Sequence, residues 1–381
     1  MKKIVVFVNS KPGTRLEVCI NEWMKKSKER YEVRIFFRKY NTLRDVFRFL
    51  LLFFKNFDAK LFYAYRAGLV NTIILMIGKL FNKKTLYGYD DFNYLESKVF
   101  GDEKGRASSL KLNYMKFNEY FPLRIASYTQ VFNTYHYNYV NKLGYSNMVI
   151  LTNGADFDLI KPTNVKKNFI GLKEDDLTIG YFATFGYAKL HDLYYGWDLI
   201  EAMKYLKDRK IYALFIGDGP GIKVLKDRAK EYGVEKQVKF LGWIHYNDLN
   251  KYYNLCDVLT VLFLEHPTSD MRVTFKFPEY LATGRFLILT DRGTPYNVLK
   301  KSKGAIFLKH KGIKDKEYPK RFADAVLKLY KSRRLLKDGL ENREIGKKLF
   351  TYDFASQRFL DVFASIVEGN KLPKDPYFGK I

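Results

Sequence analysis

The chain has 381 residues, with 67 Lys+Arg against 41 Asp+Glu and a formal net charge of +26 at pH 7. Its 47% hydrophobic and 17% aromatic content excludes a disordered or fibrous chain, and its length calls for two domains, each with its own core. Two cysteines in distant segments, Cys19 and Cys256, supply neither a disulfide framework nor a metal cluster; no metal is expected, and a reducing, cytoplasmic setting is.

The opening MKKIVVFVNS is too short an apolar run for a secretory leader and reads as a first strand. Short β-rich runs are predicted at Ile4–Val8, Val33–Phe37, Leu61–Tyr65, Thr85–Tyr89, Thr129–Phe132 and Met148–Leu151. Helical patterns separate them at about Glu17–Lys28, Leu43–Lys55, Val70–Phe81, Leu110–Ile125 and Thr134–Leu143. Alternation of this kind implies a parallel sheet with crossover helices. The Asn153-Gly154 turn and Pro162 then stop regular structure and place a junction near Asn153–Lys167. Beyond it the pattern starts over. Strands are predicted at Thr178–Ala183, Tyr212–Ile216, Gln237–Leu241, Val258–Phe263, Phe286–Thr290 and Ala305–Leu308. Helices fall at Trp197–Leu206, Gly221–Tyr232, Tyr318–Tyr330, Leu335–Lys348 and Asp353–Val367, with a further one capped by Asn247 and ending near Asn254. No run approaches the roughly 18 apolar residues of a spanning helix, so the chain is expected to be soluble or peripheral at the inner face of a membrane.

Several segments have the residue types that chemistry needs. Gly217, Asp218 and Gly219 lie between a strand and a helix N-terminus, where unpaired N–H groups attract anions; the same glycines also serve to shape a sheet edge. Asp90 and Asp91 are adjacent carboxylates at the carboxyl end of a strand, suited to accept a proton from a hydroxyl, or simply to cap a helix. Thr42-x-x-Asp45 reads as a capping box before FRFLLLFFK. That helix is apolar nearly all round, which fits burial in the core. With Arg44, Arg48 and Lys55 beside it, insertion into a membrane surface is the alternative.

Between Ile211 and Thr290 the chain reads IYALFIGDGP, VKFLGWIHYNDL, DVLTVLFL and FKFPEYLATGRFLILT, and the junction reads Asn153-Gly154-Ala155-Asp156. These segments resemble the family-4 (group 1) glycosyltransferases of the GT-B superfamily. The resemblance implies an α/β fold of two Rossmann-like, doubly wound parallel-sheet domains facing across a cleft. Residues 1–160 would form an acceptor domain and 161–352 a nucleotide-sugar donor domain, with the last helix, about 353–381, packing back onto the first. It also implies transfer with retention and without a bound metal or other cofactor, the nucleotide diphosphate sugar being the donor substrate.

On this resemblance Glu279 matches the family's ribose-binding carboxylate and Lys276 a lysine close to phosphate. Gly186 matches the glycine of a diphosphate loop. The family's basic pair in that loop is replaced by Tyr187 and Tyr195, which leaves Lys189 and His191 as the cations available to it. Gly217 and Gly219 match a glycine run at the donor, Gly242 and Trp243 the segment beside the base, and Gly13 a loop glycine near the diphosphate and acceptor. Asp91, Asp90 and Lys189 are the catalytic candidates, with Arg66 a further one. Met271 stands where the family has its first glutamate.

The positive charge is shared by both halves, with 26 basic and 14 acidic residues through Ile160. A diphosphate substrate with an anionic membrane surface fits such a charge, as does a Lys-rich composition with no partner. No zinc-finger spacing, RNP-like aromatic motif or basic heptad occurs, so nucleic acid is not expected. The expected partners are a nucleotide-sugar donor and a glycan or lipid-linked acceptor. The alternatives are a sugar-nucleotide epimerase of the same fold and a non-catalytic nucleotide-sugar-binding protein.

Overall fold

The structure, a computed structural model, describes residues 1–38, 43–90, 92–101, 105–331 and 335–377. Thr42 of the predicted capping box and the candidate Asp91 lie outside the described residues. The first half runs β1 (Lys3–Val8), α1 (Arg15–Trp23), α2 (Lys25–Arg30), β2 (Glu32–Phe37), α3 (Leu43–Lys55), β3 (Leu61–Tyr65) and α4 (Leu69–Leu80). It continues with β4 (Thr85–Gly88), α5 (Asn93–Phe100), α6 (Ser109–Ile125), β5 (Tyr128–Val131), α7 (Thr134–Lys142) and β6 (Met148–Ile150). The second half opens with β7 (Leu177–Phe182), a hairpin of β8 (Tyr187–Ala188) and β9 (Leu193–Tyr194), α8 (Trp197–Met203), β10 (Ile211–Ile216), α9 (Gly221–Glu231) and β11 (Val238–Gly242). Then come α10 (Leu249–Asn254), β12 (Val258–Val261), α11 (Pro267–Met271), α12 (Lys276–Thr283), β13 (Phe286–Thr290), α13 (Gly293–Leu299) and β14 (Ala305–Leu308). Three helices finish it: α14 (Tyr318–Tyr330), α15 (Leu335–Leu349) and α16 (Tyr352–Glu368).

These elements form two six-stranded sheets, ordered β2-β1-β3-β4-β5-β6 and β11-β10-β7-β12-β13-β14. All the pairings within both are parallel. Parallel strands joined by crossover helices are covered on both faces, which is why the strands read as continuous apolar runs. In β1 the alternation of side chains is explicit. Val5 and Phe7 pack with Phe49 and Phe53 of α3 and Ile74 of α4. Ile4, Val6 and Val8 face the other way, into a core shared with Trp23 of α1 and Phe359 of α16.

The junction after β6 is fixed by its own polar groups. The Asp156 carboxylate accepts from the N–H groups of Asp158 and Leu159, both at 2.9 Å. Ala155 pairs with the link between α15 and α16, its N–H donating to Phe350 at 2.8 Å and its carbonyl accepting from Tyr352 at 3.0 Å. A Cβ on Gly154 would come within 2.9 Å of the Thr351 carbonyl oxygen, so this close approach requires glycine. From there α16 runs back over the first sheet. Phe359 stacks on Trp23 at 5.1 Å between centroids, and the Lys26 N–H donates to Ser356 Oγ at 2.9 Å.

Some elements differ from the sequence expectation. The helix expected over Glu17–Lys28 breaks at Met24 into α1 and α2. Asn247 does not cap α10 with its side chain; instead its own N–H donates to His245 Nδ1 at 3.4 Å, within a short 3-10 turn. Helix α3 is neither wholly buried nor free. Asp45, Phe49 and Phe53 are buried while Leu43, Phe47, Leu51 and Phe54 are exposed. Truncating the ring that ties α16 to the first sheet, Phe359→Ala, should lower stability by about 3–5 kcal/mol. An unchanged urea midpoint in that variant would show that α16 does not hold the first lobe together.

Candidate functional site

In both sheets the strand order reverses beside the first strand of the sheet, at β1 and at β7. Crevices at the carboxyl ends of strands form at such switch points. A cavity of about 700 Å³ opens there, between α5 of the first lobe and the loops that follow β7 and β12. Thr184, Gly186, Tyr195, Arg272 and Lys276 line it on one side and Glu96 on the other.

The loop after β7 owes its shape to two glycines in a different segment. Gly217 and Gly219, at φ +127° and +148°, lie against the backbone of residues 183–185. A Cβ would stand 1.9 Å from the Ala183 carbonyl oxygen at the first and 2.5 Å from that of Phe185 at the second. The Gly221 N–H in the first turn of α9 donates to the Phe185 carbonyl at 2.8 Å. These glycines therefore hold the loop in place, and neither lines the cavity. Gly186 does line it, and its carbonyl accepts from the Tyr195 N–H at 3.1 Å.

The cations of this region separate into two groups. Lys189 and His191 sit on the turn of the β8–β9 hairpin, outside the cavity lining. Lys189 is exposed, and His191 Nε2 meets the Val99 carbonyl of α5 at 2.7 Å, a contact between lobes. Lys276 opens α12 and lines the cavity. Among the described residues its ammonium makes no hydrogen bond or ion pair, and burial pushes its pKa below the ordinary lysine value. Beside it Arg272 forms an ion pair across the cavity with Glu96 of α5.

One turn further along α12, Glu279 is 2% exposed and has both carboxylate oxygens engaged. Oε1 accepts from Arg15 Nε at 3.0 Å and Nη2 at 2.6 Å, and Oε2 accepts from the Tyr253 hydroxyl at 2.5 Å. Burial raises the Tyr253 pKa well above that of an ordinary phenol, so its proton stays on the hydroxyl that donates. Arg15 comes from the start of α1 in the first lobe. Its guanidinium lies 3.8 Å from the Tyr246 ring centroid and donates to the Tyr352 hydroxyl at 2.7 Å. Burial opposes the Arg15 charge, but the attraction of Glu279 outweighs it and holds the guanidinium pKa above its ordinary value.

The remaining candidates are dispersed. Asp90 accepts from the Tyr65 hydroxyl and from Arg66 Nε, both at 2.9 Å, and Arg66 is held at φ +72°. Gly13, at φ +77°, donates its N–H to Glu17 Oε2 at 2.6 Å in an exposed turn ahead of α1. The Gly242 carbonyl accepts from the Gly217 N–H at 2.8 Å, and Trp243 beside it is 69% exposed. Met271 is buried in α11. Among the described residues no three His, Cys, Asp or Glu side chains gather as metal ligands. Sequence reasoning did not single out Glu96, Tyr246, Tyr253 or Tyr352, though Tyr246 lies within the quoted VKFLGWIHYNDL run. Arg15 had one signal, its place directly after the Pro12-Gly13-Thr14 turn.

Residues 163–344 match the family model described as glycosyl transferases group 1. No curated protein matches the chain. Among solved structures it is similar to a sucrose-phosphate synthase from Thermosynechococcus elongatus, at 13% identity over 97% of this chain and 100% of that one, TM-score 0.77. It is similar to Anabaena HepE in complex with UDP and glucose, at 15% identity over 96% and 100% of the two chains, TM-score 0.70. A glycosyltransferase from Rickettsia africae gives 12% identity over 97% and 100%, TM-score 0.67. The fold is GT-B. Independently of any ligand, Arg15→Met leaves Glu279 buried without its cation and should cost about 2–4 kcal/mol. Adding Glu279→Gln should recover part of that loss in urea denaturation, and full additivity of the two would rule out their coupling.

Proposed function

We propose that this chain, a group 1 glycosyl transferase over residues 163–344, moves a sugar from a nucleotide diphosphate sugar to a glycan or lipid-linked acceptor. The observation that carries the reading is Lys276, an unpaired ammonium facing a cavity at the carboxyl ends of two parallel sheets. A diphosphate gains charge as its bond to the sugar breaks, and a fixed cation in a site of low dielectric stabilises that charge more in the transition state than in the ground state. Arg272 and the backbone around Gly186 line the same cavity and would share the task. The UDP and glucose held by Anabaena HepE support a nucleotide-sugar donor.

In this reading Glu279 accepts hydrogen bonds from the ribose diol, since a carboxylate can accept from two hydroxyls at once. The structure adds a condition to that role. The carboxylate is buried behind Arg15 and Tyr246, so donor binding must displace the guanidinium before the diol can replace it. The displaced cation then faces the diphosphate. Asp90, already tied to Arg66, is the described candidate on the acceptor side. Retention of configuration and independence of metal complete the proposal.

Calorimetry with UDP-glucose, GDP-mannose and ADP-glucose would identify the base, and Glu279→Ala should weaken the bound donor at least tenfold. Unchanged donor affinity in that variant would remove Glu279 from the site. Lys276→Ala should weaken donor binding tenfold or more, about 1.4 kcal/mol. Because the Lys276 pKa is depressed, its proton is lost at a lower pH than the roughly 10.4 of a free lysine. Donor affinity should therefore fall early as pH rises, and Lys276→Arg should shift that fall upward. A donor-alone incubation that changes the sugar itself would indicate an epimerase.

A further inference from the structure

We propose that the outer face of α3, α4 and α6 is a docking surface for an anionic lipid bilayer. The three helices are neighbours on one side of the first sheet. Asn118 of α6 meets Thr72 of α4, and the rings of Phe54 and Phe57, at the end of α3, pack on Phe81 at the end of α4 at 6.3 and 5.2 Å. Each turns an apolar stripe outward at helical spacing. On α3 this is Leu43, Phe47, Leu51 and Phe54, the first three 70%, 67% and 63% exposed. On α4 it is Leu69, Met76 and Leu80, and on α6 Leu110, Tyr114 and Phe117, with Phe117 stacked on Phe121. Scattered exposed apolar residues are ordinary on a protein surface, but three adjoining stripes are not.

The charges decide what covers this face. Every exposed charged side chain on the three helices is a cation: Arg44, Lys55, Lys79, Lys111, Lys116 and Arg124. Their two carboxylates, Asp45 and Glu119, are buried. A second copy of the chain would bring the same cations face to face in a two-fold interface and be repelled. An anionic bilayer accepts the leucine and phenylalanine side chains at its acyl boundary and the lysines and arginines at its headgroups. None of the described helices is long and apolar enough to cross a membrane, so the helices lie on the surface. In a parallel sheet each crossover helix begins where its strand ends, so Leu43, Leu69 and Leu110 stand at the cleft-side rim of the face.

The proposal is independent of the transfer reaction, and its test uses no donor. The full chain is sedimented with vesicles of phosphatidylglycerol and phosphatidylcholine, and with vesicles of phosphatidylcholine alone. Binding to the anionic vesicles at least tenfold tighter, and weakened by salt, is expected. The exposed-site double variant Phe47→Ser/Leu51→Ser should lose at least tenfold of that binding while its thermal melt stays unchanged, and Lys111→Glu/Lys116→Glu should do the same. Wild-type protein that stays in the supernatant with anionic vesicles at low salt would overturn the proposal. So would variants that sediment as wild type does, or a solution dimer that Phe47→Ser/Leu51→Ser dissociates.

Discussion

The ion pair of Arg15 with Glu279 is the constraint on which the cleft depends. It joins the first helix of one lobe to α12 of the other, across 264 residues of sequence. A buried carboxylate without a partner is costly, so the Glu279 position is tenable only while Arg15, itself donating to Tyr352, and Tyr253 converge on it. That convergence requires β1 and β7 to present their carboxyl ends to each other. The junction at Asn153–Asp156 and the return of α16 both serve that arrangement, because each ties the ends of the second lobe to the first. His191 on the Val99 carbonyl and Arg272 on Glu96 add two more contacts from the hairpin and from α11 to α5.

Around this latch the cations have unequal standing. Arg15 and Arg272 are neutralised by carboxylates of the opposite lobe, whereas among the described residues Lys276 has no ion-pair partner, and burial lowers its pKa. The apolar wall of Tyr181, Phe182 and Phe263 around it lowers the local dielectric and strengthens each of these interactions.

Most of the fold was legible in the sequence, since apolar strands covered on both faces leave long Val, Ile, Leu and Phe runs that only a parallel sheet explains. The elements that were missed have weak local signals. Helix α5 buries no residue, and α11, α13 and the β8–β9 strands are short. The site was legible only in part. Lys276 and Gly186, picked out by resemblance, do line the cavity. Lys189 and His191 were chosen as the only cations in their loop, but the hairpin carries them past the cavity to its outer side. Gly217 and Gly219 read as an anion-binding turn, yet the Phe185 carbonyl already takes the helix N–H that an anion would use. The partners of Glu279, Arg15 of α1 and Tyr253 of α10, come from separate segments, and no spacing along one chain reveals such a meeting. For α3, composition could not say that one side of a helix rich in phenylalanine would stay uncovered.

The return of α16 to the first sheet has a consequence for synthesis. Until residues 352–368 emerge from the ribosome, Trp23 and the face of β1 and β3 beneath Phe359 and Phe363 have no cover. The nascent amino-terminal lobe therefore waits, half-finished, while some 200 further residues are translated and the second lobe assembles. A chaperone that shields aromatic surface during that interval would find Trp23 and Tyr63 uncovered in this lobe, whereas both are buried in the finished molecule.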